Sequence, residues 1–355
     1  MLTVFNVGQG DAFLIEPKCN CDFDRTSLLV DTGHPSSRVA QRIGSRMLNI
    51  LLTHSHQDHI GGLPGLIARN KIETLYVPYY LPEVTAIYRY VQHHCSIRIG
   101  HPDWMRLRRT PLVLVSEGDT LCMHLSVLNP PKNPRDHFTE FSTNEESGDI
   151  QRALSILDES GMELPRDEII AYETPINEVE GLDGEYRYSA RTFVHRFFIT
   201  LSHLVEHNSP EGLNYYVDAR MELAANQASV VFMYDHPGSG KWLFTGDADE
   251  SVFDRIISSG TDISATFLKV PHHGSRDNMS LQILQSIQPE VAIVSHGNRR
   301  FGRSLDPHPH DEVIDMLDRQ QIRTYYTNPV IKQHQTIKPM ATGSQENGWI
   351  NFVQP

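Results

Sequence analysis

The chain contains 355 residues, with 31 Lys and Arg against 44 Asp and Glu, and its formal net charge is −13. This length accommodates one large domain or two, and no apolar run approaches the roughly 20 residues of a membrane span. The acidic balance argues against a strongly basic nucleic-acid-binding surface, although bound metal ions can reverse the field locally. Four cysteines are too few for a disulfide scaffold, and the N-terminal string lacks the features of a signal peptide. We therefore expect a cytoplasmic protein without a membrane segment, in which nineteen histidines remain to be explained.

Short apolar strands and helical segments alternate through the first 132 residues. The strings LTVFNVG and FLIE predict two strands around the Gly-rich turn VGQGDA, and SLLVDTG predicts a buried strand. The string VAQRIGSRML predicts a helix, and NILLTHSHQDHIGGL predicts a strand, a His-rich turn and the start of another helix. This alternation indicates a layered α/β domain whose loops carry the chemistry.

The pattern changes between residues 133 and 225. The segment begins with a polar, loop-like stretch, and its apolar string RTFVHRFFITLSHLV fits either a strand or a helix. Strand-like strings return after it as SVVFMYD, WLFTGD, TFLKV and VAIVS. We interpret residues 1–355 as a single domain that contains a family-specific insertion over residues 133–225.

The string HSHQDH is the sharpest chemical feature of the sequence. Imidazole and carboxylate groups are good ligands for zinc, manganese and iron. His54 and His56 leave a strand end toward the same side, whereas Asp58 and His59 project from the following turn. The motif can therefore supply two neighbouring metal ions. The alternative is a cluster of surface histidines without a metal.

Further candidate residues follow apolar strands later in the chain. Asp247 comes directly after WLFTG, where a carboxylate is well placed to bridge two metal ions. His272 and His273 follow the next strand, and His308 precedes a predicted helix. Each of these features alone is typical of a turn or a solvated loop. Their order, HxHxDH, then Asp, then HHGS, then a late His, indicates a two-metal centre.

These strings resemble the metallo-β-lactamase superfamily, and more narrowly the branch that contains the hydrolase domain of ComEC-type DNA-uptake proteins. The string HxHxDHxGG at residues 54–62 is specific to the superfamily, and VGQGDA and HHGS point to the branch. The resemblance implies a four-layer α/β architecture, the αβ/βα sandwich, in which two mixed sheets lie back to back with helices outside.

The resemblance also implies the metal ligands. His54 and His56 match ligands of the first of two divalent ions, zinc or manganese. Asp58 and His59 match ligands of the second ion, and Asp247 matches the bridging carboxylate. His308 matches a late ligand of the second ion. Most two-metal members have one more His on the first ion, for which this chain has no clear match; His203 and His207 in the insertion could serve.

Other residues are implied to support or contact the substrate. Asp31 matches a carboxylate that orients a ligand-bearing loop, and Asp11 and Asn226 belong to strings shared with the ComEC-type branch. His272 and His273, beside Asp58 in the catalytic set, match positions where related phosphodiesterases keep a general acid or a phosphate contact. The arginines that could pair with a phosphate on the loop before His308 are Arg299, Arg300 and Arg303.

Three functions remain open at this stage. The first is a metal-dependent phosphodiesterase or nuclease, in which a metal-activated hydroxide attacks the phosphorus of a nucleic acid or a small phosphoester. The second is hydrolysis of a carbonyl substrate, such as a thioester, a lactone or a β-lactam, by the same centre. The third is a metal-binding component of a multi-protein bacterial system, such as antiphage defence, with the insertion as the surface for a partner protein.

Overall fold

The computed structural model is built around two seven-stranded mixed sheets and a separate two-stranded hairpin. The residues that the structure describes are 2–16, 26–69, 71–100, 102, 107, 110–137, 149–176, 184–297, 307–332, 335–338 and 349–352.

The first sheet combines an antiparallel half with a parallel half. Its strands are β1 (Leu2–Phe5), β2 (Phe13–Ile15), β3 (Ser27–Val30), β4 (Met47–Leu51), β5 (Lys71–Pro78) and β6 (Leu112–Val115), with β16 (Trp349–Phe352) at the edge beside β1. The pairs from β16 to β3 are antiparallel, and those from β3 to β6 are parallel.

The second sheet repeats this division, again with its antiparallel strands before its parallel strands in the chain. Its strands are β7 (Thr120–Cys122), β8 (Leu125–Asn129), β9 (Val231–His236), β10 (Gly240–Phe244), β11 (Phe267–Lys269), β12 (Val291–Val294) and β13 (Arg323–Tyr326). The pairs from β7 to β10 are antiparallel, and those from β10 to β13 are parallel. Strands β14 (Val330–Lys332) and β15 (Gln335–Lys338) form the hairpin.

Apolar side chains of the two sheets meet face to face. Successive side chains of a strand point to opposite faces, so each sheet turns one row of residues toward the other. Phe13 of β2 contacts Phe244 of β10 edge to face, with ring centroids 5.7 Å apart, and Phe232 of β9 stacks on Phe244 at 4.8 Å. The contact between Phe13 and Phe244 joins the two sheets.

Helices cover the outer faces of both sheets. In chain order they are α1 (Val39–Ile43), α2 (Gln57–Ile60), α3 (Leu63–Arg69), α4 (Leu81–Val91), α5 (Ile150–Glu159), α6 (Arg166–Ile170), α7 (Gly184–Glu206), α8 (Leu213–Gln227), α9 (Glu250–Ser258), α10 (Leu281–Ile287) and α11 (Asp311–Arg319). Helices α1 to α3 pack on the first sheet and α9 to α11 on the second. The expected αβ/βα sandwich is therefore confirmed.

Helices α4 to α8 share a further apolar core. The string that fitted a strand or a helix lies in α7, where the buried residues Phe193, Phe197 and Leu201 recur every four positions and form one face. Tyr80 stacks on Phe193, with ring centroids 4.3 Å apart, and links this core to the end of β5. Within the described part of the chain, no helix has both the length and the apolar character needed to cross a bilayer. The assignment of residues 133–225 as an insertion stays a prediction.

One carboxyl group is buried inside this helical core. Glu83 of α4 is 0% exposed, and it accepts hydrogen bonds from the hydroxyls of Tyr172 and Tyr186 at 3.0 and 2.8 Å. Burial disfavours the ionised form more than these bonds favour it, so the pKa of Glu83 rises from 4.5 to about 7. The folded protein therefore holds a proton that the unfolded chain releases above pH 4.5.

We predict that Glu83 makes the protein less stable as the pH rises from 4.5 to 7, because the folded state binds the extra proton in that window. The full effect corresponds to about 3 kcal/mol. In Glu83→Gln this part of the pH dependence should disappear when urea unfolding is compared at acidic and neutral pH. The control is Glu163→Gln, the same change on an exposed side chain. A Glu83→Gln profile parallel to that of the wild type would contradict the assignment.

Candidate metal centre

The candidate residues of both sheets converge at one edge of the sandwich. Asp31 follows β3, and His54 comes shortly after β4. Asp247 comes shortly after β10, and His272 shortly after β11. Because the carboxyl ends of neighbouring parallel strands lie at the same edge, each sheet presents its polar loops there.

Hydrogen bonds to backbone carbonyls close this edge between the two sheets. The amide of Val230 donates to the carbonyl of Thr53 at 2.8 Å, and the hydroxyl of Ser295 donates to the carbonyl of Gly10 at 2.7 Å. Gly10 has a φ of +111°, and a Cβ there would lie 2.0 Å from the carbonyl oxygen of Asp58. The glycine is therefore required where the VGQGDA loop passes over α2.

A single carboxylate oxygen lies at the middle of the site. Oδ2 of Asp247 has four imidazole Nε2 atoms within 4 Å, at 3.2 Å from His59, 3.3 Å from His273, 3.7 Å from His54 and 3.9 Å from His272. The Asp247 side chain is 2% exposed. The TGD string thus delivers its carboxylate to the point where the two histidine motifs meet.

Two groups of potential ligands share this carboxylate. In each group the ligand atoms all lie within 4.8 Å of one another and belong to buried residues. The first group is His54, His56 and Asp247, and the second is Asp11, His59, Asp247 and His273. In the first group, Nε2 of His54 and Nδ1 of His56 are 3.1 Å apart. The arrangement provides two adjacent positions for cations with Asp247 between them.

Asp31 fixes the orientation of His59. Its carboxylate lies 2.8 Å from Nδ1 of His59 and accepts hydrogen bonds from the amide and hydroxyl of Thr53 at 2.7 and 2.6 Å. The ring is thereby held with Nε2 toward Asp247. A carboxylate behind a histidine is the usual device for orienting a metal ligand.

The pKa values of the histidines differ between the two ligand groups. Burial lowers the pKa of His54 well below its ordinary value and that of His56 to about 4, which leaves both imidazoles neutral. Burial also opposes protonation of His59 and His273, but the Asp247 carboxylate raises the pKa of His59 well above its ordinary value and that of His273 to about 9. His54 and His56 can therefore donate lone pairs directly, whereas His59 and His273 each hold a proton that a bound cation would displace.

Asp58 lies at the open side of the site. Its side chain is 20% exposed, and Oδ2 is 3.6 Å from Nε2 of His273. Although burial opposes ionisation, the neighbouring His273 imidazole keeps the pKa of Asp58 below its ordinary value. Asp58 is thus an ionised carboxylate beside the second group.

His308 lies beside His272 and His310. Its ring centroid is 5.2 Å from that of His272 and 4.6 Å from that of His310. Among the described residues, the two ligand groups include His273 and omit His308. The assignment of His308 as a metal ligand stays a prediction, and the geometry makes His273 the stronger candidate for that position.

The remaining candidate residues are not among the ligand groups around Asp247. His203 and His207 form a separate group with Glu206 at the C-terminal end of α7. Asn226 is buried at the end of α8, and its backbone carbonyl accepts from the amide of Ser229, whose hydroxyl accepts from the amide of Asp247 at 3.2 Å. The candidate arginines lie outside the described residues: Arg299, Arg300 and Arg303.

Sequence reasoning missed Lys269. This lysine is the last residue of β11 and is 1% exposed, and its ammonium lies between Asp11 and Asp247. Although burial opposes the charge, the two carboxylates raise the pKa of Lys269 above its ordinary value. The available signal was a lysine at the end of an otherwise apolar strand, separated from the HHGS string only by Val270 and Pro271.

The donor set fits divalent cations. The groups that converge are imidazole nitrogens and carboxylate oxygens, which suit zinc and manganese. Asp11, Asp31 and Asp247 are all at most 1% exposed, and buried carboxylates require positively charged partners. The chemistry of the residues therefore agrees with a metal centre.

Comparison with known proteins confirms the resemblance. Residues 5–120 match the model of the metallo-beta-lactamase superfamily. ComE operon protein 3 of Bacillus subtilis is 32% identical over 106 residues, which cover 30% of this chain and 13% of that protein. Recombination protein 2 of Haemophilus influenzae is 34% identical over 99 residues, 27% of this chain and 11% of that protein. The matched stretches thus span only about a tenth of these relatives' length. The family match includes the HSHQDH string and agrees with the metal-ligating chemistry of the site.

We predict that Asp31→Asn weakens cation binding about 10- to 100-fold, because an amide cannot accept all three hydrogen bonds that hold His59 and Thr53. The measurement is calorimetric titration of the chelator-treated protein with Mn²⁺. The matched control is Asp119→Asn, since Asp119 also accepts two hydrogen bonds, from the amide and hydroxyl of Ser116, in a turn. Equal affinities of Asp31→Asn and the wild type would refute the orienting role.

Proposed function

We propose that this chain, which carries the superfamily match over residues 5–120, is a metal-dependent phosphodiesterase that acts on nucleic acid or a nucleotide. The observation that carries the proposal is the shared carboxylate of Asp247, which joins two groups of buried ligands. Two divalent ions, zinc or manganese, would supply Lewis acidity and a nucleophilic hydroxide near neutral pH.

Each position would draw its ligands from the residues that converge there. His54 and His56 with Asp247 would hold one ion, and His59, His273 and Asp58 with Asp247 would hold the other. Both rings of the second position are held from behind, because Asp31 holds the ring of His59 and the carbonyl of Ser295 lies 2.9 Å from Nδ1 of His273. This support favours a well-ordered second position.

His272 is the group best placed to transfer a proton to the leaving oxygen. Its Nδ1 is 2.8 Å from Oδ1 of Asn278, which fixes the ring, and its side chain keeps 12% exposure. Unlike His273, it belongs to neither group of buried ligands. A general acid must be oriented and must reach the substrate, and His272 meets both conditions.

A phosphodiester is favoured over a carbonyl substrate on two grounds. The name of one relative, Recombination protein 2, refers to a process of DNA. The HHGS string also places an imidazole outside the ligand groups, where a leaving oxygen needs a proton. The partner protein expected for residues 133–225 stays a prediction.

We predict that wild-type protein loaded with Mn²⁺ or Zn²⁺ hydrolyses at least one of single-stranded DNA, RNA and bis(p-nitrophenyl) phosphate. The double variant Asp58→Ala/Asp247→Ala should lose at least about 100-fold of that activity, since it removes the shared ligand. The control is Asp235→Ala/Asp254→Ala, which removes two exposed carboxylates. Metal content by mass spectrometry should fall from two equivalents in parallel.

The same assay includes nitrocefin and an acyl thioester. Hydrolysis of either, with no activity on the three phosphodiesters, would replace the proposal with a carbonyl hydrolase. If the metal-loaded wild type is as inactive as the double variant on every phosphodiester, the proposed phosphodiesterase function is rejected.

A further inference from the structure

Lys269 occupies a closed position beneath the candidate metal centre. Its Nζ lies 2.5 Å from Oδ2 of Asp11, 2.6 Å from the carbonyl oxygen of Gly246 and 3.4 Å from Oδ1 of Asp247. An ammonium group has three N–H donors, and three acceptors surround this one. Every donor of Lys269 is therefore engaged by the protein itself.

The lysine makes the two oxygens of Asp247 unequal. Oδ1 faces the ammonium at 3.4 Å, whereas Oδ2 faces the four imidazole Nε2 atoms. Without a partner on Oδ1, the carboxylate could rotate and present either oxygen to the histidines. The lysine removes that freedom.

Strand pairing determines where the ammonium lies. β11 is parallel to β10 on one side and to β12 on the other, so Lys269 leaves the sheet between the loop that carries Asp247 and the loop that carries Ser295. Its backbone carbonyl accepts a hydrogen bond from the hydroxyl of Thr245 at 2.8 Å. The TGD and HHGS strings are thus tied to each other at this residue.

Asp11 makes its shortest contact with the lysine. Its Oδ2 is the atom nearest the ammonium, and its Oδ1 lies 3.6 Å from Nδ1 of His273, the nitrogen that also faces the carbonyl of Ser295. Nε2 of His273 points the other way, toward Asp247. Asp11 therefore lies on the side of His273 that faces away from the shared carboxylate.

We propose that Lys269 is a positioning residue that holds Asp247 with Oδ2 toward the histidines, and that Asp11 anchors this lysine instead of binding a metal ion. The inference rests on the proposed metal-dependent function. It assigns the GQGD string and the lysine before HHGS to one bridge, Asp11–Lys269–Asp247, that links the first sheet to the second.

The test is a double-mutant cycle on the full chain, with Co²⁺ as the probe. Chelator-treated wild type, Lys269→Met, Asp11→Asn and the double variant are titrated with Co²⁺ by calorimetry, and the visible absorption of bound Co²⁺ reports the ligand geometry. Lys269→Met should weaken binding about 10- to 100-fold and change the spectrum. The double variant should bind no more weakly than Lys269→Met alone, because both residues act through the same bridge.

The opposite results overturn the inference. If Asp11 is itself a ligand, Asp11→Asn loses one equivalent of Co²⁺ while Lys269→Met keeps both, and the two effects add. Equal Co²⁺ affinity and spectrum in Lys269→Met and the wild type would also reject the positioning role.

Two further comparisons distinguish a folding defect or a lack of hydrolytic activity from failure of the positioning role. Lys269→Met leaves two buried carboxylates without a cation and can therefore fail to fold. In that case Lys269→Gln is used, which keeps N–H donors without the charge and should show the same loss of Co²⁺ affinity and the same spectral change. Unchanged Co²⁺ binding in Lys269→Gln would reject the inference. A wild type that binds two Co²⁺ but hydrolyses nothing contradicts only the proposed function. If the wild type binds both ions and the Lys269 variants show the same Co²⁺ affinity and spectrum, only the bridge is contradicted.

Discussion

The structure depends on the placement of one buried carboxylate between two sheets. Asp247 is 1% exposed, so protein groups must satisfy both of its oxygens and its backbone amide. The ammonium of Lys269 faces one oxygen, four imidazoles face the other, and the hydroxyl of Ser229 accepts from the amide. Gly246 permits this approach, because its φ is +51° and a Cβ would lie 3.0 Å from the Cβ of Thr53. The loop that carries Asp247 must therefore satisfy the polar contacts of this carboxylate and the tight packing around Gly246 at the same time.

Neither sheet contains the centre alone. The first sheet supplies the HSHQDH turn and the carboxylate of Asp31 behind it, and the second supplies Asp247 and the HHGS turn. The apolar contact between Phe13 and Phe244 sets the distance across the sandwich, and the bond from Val230 to Thr53 sets it at the rim. The positions of the metal-ligating atoms therefore depend on the packing of the whole sandwich. Substitutions in the apolar core should disturb both that packing and those positions.

The sequence was informative where a residue's role follows from its own neighbours. The HSHQDH string and the strand endings predicted the edge at which the donors meet, because strand direction fixes where a loop lies. The string of α7 could not be assigned, since short apolar runs fit either period until the buried face of Phe193 and Phe197 is known. Lys269 was missed because its two carboxylate partners come from distant segments. The relative positions of His273 and His308 likewise depend on loop packing that spacing does not encode.

The net charge of −13 acquires a more specific meaning at this site. Carboxylates at the surface repel a phosphate substrate, whereas the buried ones attract cations strongly, because water does not screen them. Lys269 offsets part of that buried charge with a group that cannot leave, and its three donors are all engaged. An ammonium enclosed in this way does not contact a phosphate. In the proposed function, exchangeable cations in front of Asp247 would supply the positive field that Lys269 does not, which makes substrate binding, as well as catalysis, dependent on metal.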